Sequence, residues 1–178
     1  MKGNYNIAVL DMNAGQPNEG MRCITTLMGE FLTKDGVKGR YDIFEVRNGQ
    51  ELPDLNEYDI FVSSGGPGSP LKTGAEWEIK YFGFLDSILS HNLSNAQKKH
   101  AFLICHSFQL ACLHWDVARV TKRRSTSFGI FPIYKTKSGE QEVLFKDLND
   151  PFYAVDSRDY QVVGPKEWKL DTLDGKVL

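Results

Sequence analysis

The fold of this chain is decided by YDIFVSSGGPGSP at residues 58–70 and by AFLICHSFQL at residues 101–110. Each stretch begins as a short apolar run typical of a buried strand. The first run ends in a loop rich in glycine and proline, and the second passes directly into a helical pattern. Ligands of an open parallel sheet bind beyond the carboxyl ends of its strands. These two stretches therefore also locate the candidate site.

Outward from these stretches, strand and helix patterns alternate. The runs YNIAVL (5–10) and YDIFEV (41–46) predict two further strands. Apolar residues at helical spacing predict a helix after the first strand, one from Ala75 and one over residues 106–116. Strands that are apolar throughout and alternate with helices predict an α/β fold in three layers, with a mostly parallel central sheet and helices on both faces.

The pattern changes after Trp115. Four strand candidates follow without a helix between them, namely FGIFPIYKT (128–136), EVLF (142–145), FYAVDS (152–157) and YQVV (160–163). They predict a small antiparallel addition at one edge of the sheet. We find no repeat, low-complexity tract or linker, so the prediction is a single domain over residues 1–178.

Composition excludes several functional classes. The chain has 178 residues and a formal net charge of −2, which gives no global attraction to nucleic acid or to an anionic membrane. Its apolar runs are far shorter than the roughly 20 residues of a membrane helix. The three cysteines show no paired spacing and the N-terminus no signal-peptide pattern. We therefore expect a cytoplasmic protein.

The glycine-rich loop after the third strand has two interpretations. Gly65, Gly66 and Gly68 allow backbone conformations and close approaches that a side chain would forbid, so the loop can direct amide groups at an anion. The alternative is a tight turn stiffened by proline.

Cys105 lies where an apolar strand ends and a helix begins, a position that favours the thiolate and resembles the turn of serine hydrolases. The alternative is a buried core cysteine. We expect Cys23 to be a core residue of the first helix. We expect Cys112 on a buried face of the third helix, together with Phe108, Ala111 and Trp115. Cys105, His106, Cys112 and His114 match no paired-ligand spacing, so no metal and no cofactor is predicted.

Together, SSGGPGSP and ICHSFQL resemble the class I glutamine amidotransferases, whose signatures are a GGPGS-type loop and a G-x-C-x-G-x-Q nucleophile elbow. The similarity runs from residue 5 to about residue 165 and includes SFGIFPI after the elbow. The resemblance implies a flavodoxin-like class I amidotransferase fold. It also implies a glutaminase that hydrolyses the side-chain amide of L-glutamine through a cysteine thioester and supplies ammonia to a synthetase partner or a fused domain.

The resemblance assigns roles residue by residue. Cys105 matches the nucleophile, and the backbone amides of Gly66 and His106 match the two donors of the oxyanion hole. The residues matched to the glutamine pocket are Gly65, Gly68, Ser69, Gln109, Asp159 and Tyr160, the last two within the segment Ser157–Tyr160.

The chain departs from the family pattern in two respects. Leu103 and Ser107 occupy the two glycine positions of the elbow, and none of the four histidines comes after His114, although the family places its catalytic histidine in a C-terminal H-P-E segment. We therefore expect a domain that lacks its C-terminal part. The alternatives are a catalytically silent binding or regulatory module and a γ-glutamyl amide hydrolase.

Overall fold

Four parallel strands form the sheet of the first compact unit, Met1–Ala111, in the computed structural model, which describes residues 3–178. In chain order the strands are β1 Gly3–Asp11, β2 Val37–Glu45, β3 Ile60–Ser63 and β4 His100–Leu103, and they lie in the order β2-β1-β3-β4. The connections reverse direction between β1 and β3. The loops that follow these two strands therefore flank the crevice in which sheets of this type bind ligands.

One face of the sheet is covered by α1, Glu19–Leu32. The side chain of Asn18 caps the helix by accepting a hydrogen bond from the Gly20 amide at 2.7 Å. Ile24 of the helix packs in one buried cluster with Ile7 and Val9 of β1, and this cluster also contains Val62 of β3. The predicted first helix is therefore confirmed.

The opposite face of the sheet is covered by α2, Glu76–Ser94. Phe61 follows Ile60 and precedes Val62 along β3, so its side chain points away from α1. Its ring meets that of Phe84 on α2 edge to face, with the centroids 5.2 Å apart. Helices thus lie on both faces of a parallel sheet, which confirms the predicted three-layer architecture.

β4 differs from its predicted environment. We expected residues 101–105 to form a buried strand, but this expectation is wrong, because Phe102 is 62% exposed and the neighbouring Ala101 is also exposed. The cause is the position of β4 at the end of the strand order, where it pairs with β3 on one side. The apolar run at residues 101–105 therefore predicted a strand correctly, but its predicted burial was wrong.

The second compact unit, Cys112–Leu178, contains an antiparallel pair, β5 Arg119–Ile133 and β6 Phe152–Val163, followed by the short helix α4, Glu167–Asp171. A register shift interrupts the pairing between Lys122 and Ser127. The antiparallel pairing is confirmed, although its strands are fewer and longer than predicted. EVLF (142–145) is not a strand, since Val143–Phe145 forms a 3₁₀ turn.

The third helix, α3, covers His106–His114 and contains the division between the two units. Ala111 and Cys112 are buried as predicted, but Phe108 is 47% exposed, so it does not belong to that face. Cys23 on α1 is also exposed, because it lies about 100° around the helix from the buried Ile24. Among residues 3–178 no helix is long and apolar enough to cross a membrane.

Candidate active site

Cys105 occupies a sharp turn between β4 and α3. Its φ is +51°, in the left-handed region that non-glycine residues seldom adopt, and its side chain is exposed. The turn passes into the helix through hydrogen bonds from the Ser107 amide to the Ile104 carbonyl at 3.2 Å and from the Gln109 amide to the Cys105 carbonyl at 2.9 Å. The thiol therefore stands at the N-terminus of a helix, where the helix dipole favours a negative charge.

The glycine-rich loop lies directly against this turn. A Cβ added at Gly65 would lie 3.5 Å from the Cβ of Cys105, so the loop backbone passes beside the cysteine. A Cβ added at Gly66 would lie only 2.5 Å from the carbonyl oxygen of Met12, which requires glycine at this position. Gly68 has a φ of +89° and also requires a residue without a side chain. The structure thus brings the two sequence motifs together within the first unit.

Ser64 fixes the start of the loop to β1 and the residues that follow it. The Ser64 amide donates to the carbonyl of Leu10 at 3.0 Å. The Ser64 hydroxyl accepts from the Met12 amide at 2.9 Å and is itself buried. Since β1 and β3 are the strands at which the connections reverse, these bonds fix the geometry of the crevice at its centre.

Arg47, which follows β2, holds the other end of the loop. Its guanidinium donates to the carbonyls of Pro67 at 2.8 Å and Met12 at 3.3 Å, and it stacks over the ring of Trp77 with 5.1 Å to the centroid. We did not predict this residue from the sequence. The available signal was its place directly after a strand, at the same edge of the sheet as the two motifs.

His106 is buried, and its surroundings keep the imidazole neutral. Burial, and to a smaller extent the positive charge of Arg47, lowers the pKa of His106 to about 4. A neutral imidazole with so low a pKa is a weak base at pH 7. The predicted role of His106 concerns its backbone amide, and this role is compatible with a buried side chain.

The other histidines lie in different parts of the chain. His91 contacts the Gln97 carbonyl at 3.1 Å, in the connection that leads into β4. His100 is the first residue of β4, whereas Cys105 follows the last. Both histidines therefore lie at the amino end of this strand, and His114 belongs to the second unit.

The predicted substrate residues fall in both units. Gln109 lies on α3 close to Cys105 and is 4% exposed, and Ser69 accepts from the Leu71 amide at 3.2 Å in an exposed part of the loop. Asp159 and Tyr160 lie on β6 of the second unit. Asp159 accepts from the Thr126 hydroxyl at 2.6 Å, and Tyr160 packs against the buried cluster of that unit. Their assignment to a glutamine pocket stays a prediction.

The described residues also show whether side chains could together bind a metal ion. Among residues 3–178 no group of three or more histidine, cysteine, aspartate or glutamate side chains lies close enough together to hold an ion. The chemistry that the described geometry supports is nucleophilic attack by a thiolate beside a backbone loop that can donate hydrogen bonds.

Comparison with solved structures gives the same fold. A glutamine amidotransferase from Thermotoga maritima matches with a TM-score of 0.66 at 16% identity, over 91% of this chain and 64% of that protein. A glutamine amidotransferase from Methylobacillus flagellatus matches with a TM-score of 0.62 at 11% identity, over 92% of this chain and 59% of that protein. The protein SMU.1228c matches with a TM-score of 0.64 at 17% identity, over 90% of this chain and 64% of that protein.

No protein-family model and no curated protein matches the sequence. The chain spans about three fifths of the length of the solved structures that it resembles. At these identities the likeness concerns the fold. The chain has a class I glutamine amidotransferase-like fold, as the two sequence motifs predicted.

Proposed function

We propose that this chain, which has the fold of the class I glutamine amidotransferases, is a glutaminase domain with Cys105 as its nucleophile. One observation carries the proposal. Cys105 is exposed in a left-handed turn at the start of a helix, and the backbone of Gly65 passes beside it. An exposed thiol at such a turn, beside backbone that can donate hydrogen bonds, supports nucleophilic attack on a carbonyl group.

The proposed reaction begins with attack of the Cys105 thiolate on the side-chain amide carbon of glutamine. The carbonyl oxygen takes the negative charge, and the backbone amides of Gly66 and His106 donate hydrogen bonds to it. The C–N bond then breaks, the nitrogen takes up a proton and leaves as ammonia, and a γ-glutamyl thioester remains on Cys105. Water hydrolyses the thioester to glutamate and restores the thiol.

The imidazole of His106 is not the acid–base group of this proposal. Its low pKa and its burial make it a poor proton acceptor at neutral pH, and only its backbone amide has a role in the reaction. The proton transfers require another group. Attack on a reactive analogue by a preformed thiolate does not need that group, so a labelling experiment examines the nucleophile separately from turnover.

Glutamine is the proposed substrate, and a synthetase partner or fused domain is the proposed acceptor of ammonia. In the first unit, the residues assigned to glutamine binding are Gly65, Gly68, Ser69 and Gln109. The roles of Asp159 and Tyr160 in the second unit are implied by the resemblance alone. The sequence contains no phosphate-binding loop of the type that binds ATP, which supports a separate acceptor component.

The test is intact mass measurement after incubation with a chloroketone analogue of glutamine, in which the electrophile replaces the side-chain amide. We expect one adduct on the wild-type protein, one on Cys112→Ser and none on Cys105→Ala. The Cys112 variant is a matched control, because it also removes a thiol near α3. No adduct on a folded wild-type protein would contradict the proposal, as would an adduct that persists in Cys105→Ala.

A further inference from the structure

Three buried hydroxyl groups from three different elements form one chain of hydrogen bonds beneath the candidate site. The Tyr81 hydroxyl of α2 lies 3.0 Å from the Ser63 hydroxyl at the end of β3. The Ser63 hydroxyl lies 2.8 Å from the Ser107 hydroxyl of α3. The Ser107 hydroxyl donates to the carbonyl oxygen of Ser64. All three side chains are 0% exposed, so no solvent competes for these bonds.

The direction of this hydroxyl chain is fixed by counting protons. Each hydroxyl group has one proton to donate. The proton of Ser107 is used on the Ser64 carbonyl, so Ser63 must donate to Ser107 and accept from Tyr81. Burial raises the pKa of Tyr81, which keeps the phenol protonated as the first donor. The chain therefore runs one way, from Tyr81 through Ser63 and Ser107 to the backbone of Ser64.

The hydroxyl chain joins the two motifs of the candidate site. Ser107 lies two residues after Cys105, and Ser64 directly precedes Gly65. Ser64 is already held on its other side by the backbone of Leu10 and Met12. The hydrogen bond from the Ser107 hydroxyl to the Ser64 carbonyl therefore connects the turn at Cys105 directly to the start of the glycine-rich loop. The family pattern has glycine at position 107, which cannot make this bond, so the bond is a feature of this chain.

We propose that Ser107 is a positioning residue whose hydroxyl, oriented by Ser63 and Tyr81, holds the Gly65–Gly66 backbone at the distance from Cys105 at which it stabilises an oxyanion. The inference rests on the proposed glutaminase function and adds a residue to it. Ser107 contacts neither the substrate nor the thiol in this role. It acts through the position of the loop, and an error of about 1 Å in such a position costs about a hundredfold in rate.

The test compares two reactions of the same thiol. Alkylation by iodoacetamide needs the Cys105 thiolate and no oxyanion hole, whereas the chloroketone analogue of glutamine passes through an oxyanion when the thiolate attacks its carbonyl carbon. For Ser107→Ala we expect the limiting rate of analogue labelling to fall roughly tenfold to a hundredfold. The analogue concentration at half the limiting rate and the iodoacetamide rate should stay within about twofold of wild type.

Further variants separate positioning from general loss of stability. Ser107→Gly restores the family residue, lacks the hydroxyl and should show the same selective loss as Ser107→Ala. Tyr81→Phe removes only the first donor and should lower the limiting rate less, in the same direction. The matched control is Tyr58→Phe, because the buried Tyr58 hydroxyl bonds to Asp42 at 2.9 Å and takes no part in the hydroxyl chain. It should leave both reactions unchanged.

Three results would overturn the inference. Limiting rates of Ser107→Ala and Ser107→Gly equal to wild type would show that the hydroxyl positions nothing. A parallel fall of the analogue rate and the iodoacetamide rate would place the effect on the thiol instead of the loop. A decrease of the limiting labelling rate in Tyr58→Phe as large as that in Tyr81→Phe would show that the decrease comes from a general loss of stability.

If the folded wild-type protein is not labelled by the analogue at all, the proposed function itself fails and the positioning role falls with it.

Discussion

Cys105 and Cys112 are seven residues apart, and the chain gives the two thiols opposite environments. Cys105 precedes α3 in an exposed left-handed turn, whereas Cys112 lies inside α3 and is 4% exposed. Burial raises the pKa of Cys112 to about 11, so this thiol stays protonated at neutral pH. The comparison shows that the candidate site depends on the turn and on the loop beside it, because a thiol elsewhere on the same helix is buried and protonated.

The largest effect should come from removing the thiol of the turn. We expect Cys105→Ala to lose all labelling by the glutamine analogue and all glutaminase activity, because no other group replaces the nucleophile. The melting temperature should change little, since the side chain is exposed. Analogue labelling by mass spectrometry and thermal unfolding measure the two quantities. Retained activity would remove Cys105 from the mechanism.

The next effect separates the two adjacent glycines of the loop. At Gly65 an added Cβ meets only ordinary contact with Cys105, while at Gly66 it meets the Met12 carbonyl at 2.5 Å. We expect Gly65→Ala to keep the stability of the wild type and to slow analogue labelling by about tenfold to a hundredfold, because its methyl group takes space beside the thiol that the bound analogue needs. We expect Gly66→Ala to cost about 1–3 kcal/mol of unfolding free energy in addition.

Labelling kinetics and urea unfolding of the two glycine variants provide the check. Equal losses of stability in both would mean that the close approach at Gly66 is relieved by movement of the loop. Wild-type labelling rates in both would show that the loop takes no part in the reaction of Cys105.

A pH-dependent effect should follow from His106. Its pKa of about 4 in the folded protein lies below the ordinary value of 6.5, so the unfolded chain binds more protons between these pH values. The stabilising contribution is complete above pH 6.5 and is lost as the pH falls toward 4, up to about 3 kcal/mol. In His106→Gln this decrease in unfolding free energy at acid pH should disappear. Unfolding free energies at pH 7, 5.5 and 4 measure it, and an unchanged slope in the variant would contradict the account.

The smallest effect on analogue labelling should come from the second thiol. Cys112→Ser places a hydroxyl in an apolar cluster and should cost about 1–3 kcal/mol of stability. The rate of analogue labelling at a temperature where the variant is folded should equal that of the wild type. A lower rate under those conditions would show that the two regions of α3 are not independent.

The sequence predicted the features that depend on local chemistry. The glycine-rich loop, the turn at Cys105 and the alternation of strands and helices each follow from residue types at short spacing. The prediction that β4 is buried was wrong, because an apolar run does not show whether its strand is central or at an edge. EVLF (142–145) was wrong as a strand for a similar reason, since its β-propensity met no partner strand in the described structure.

The contacts that hold the candidate site could not be predicted from spacing. Tyr81 fits the apolar stripe of a helix, and only the fold brings its hydroxyl to Ser63, 18 residues away. Arg47 reaches Pro67, 20 residues along the chain, in the same way. A partial signal existed for Ser107, because a hydroxyl at a glycine position of the elbow requires a partner when it is buried. Long-range placement of polar groups depends on the assembled sheet.

The most direct test of the account uses all three thiols of one protein at once. Iodoacetamide is added for increasing times with no ligand, with L-glutamine or with D-glutamine, and the alkylated fraction of each cysteine is measured in a proteolytic digest. Cys23, exposed on α1, is the reference for an ordinary accessible thiol, and Cys112 is the buried reference. Cys105 should react faster than Cys23, L-glutamine should slow it and D-glutamine should not, while Cys112 stays unmodified. A Cys105 that reacts no faster than Cys23 and is not protected by L-glutamine would contradict the central claim.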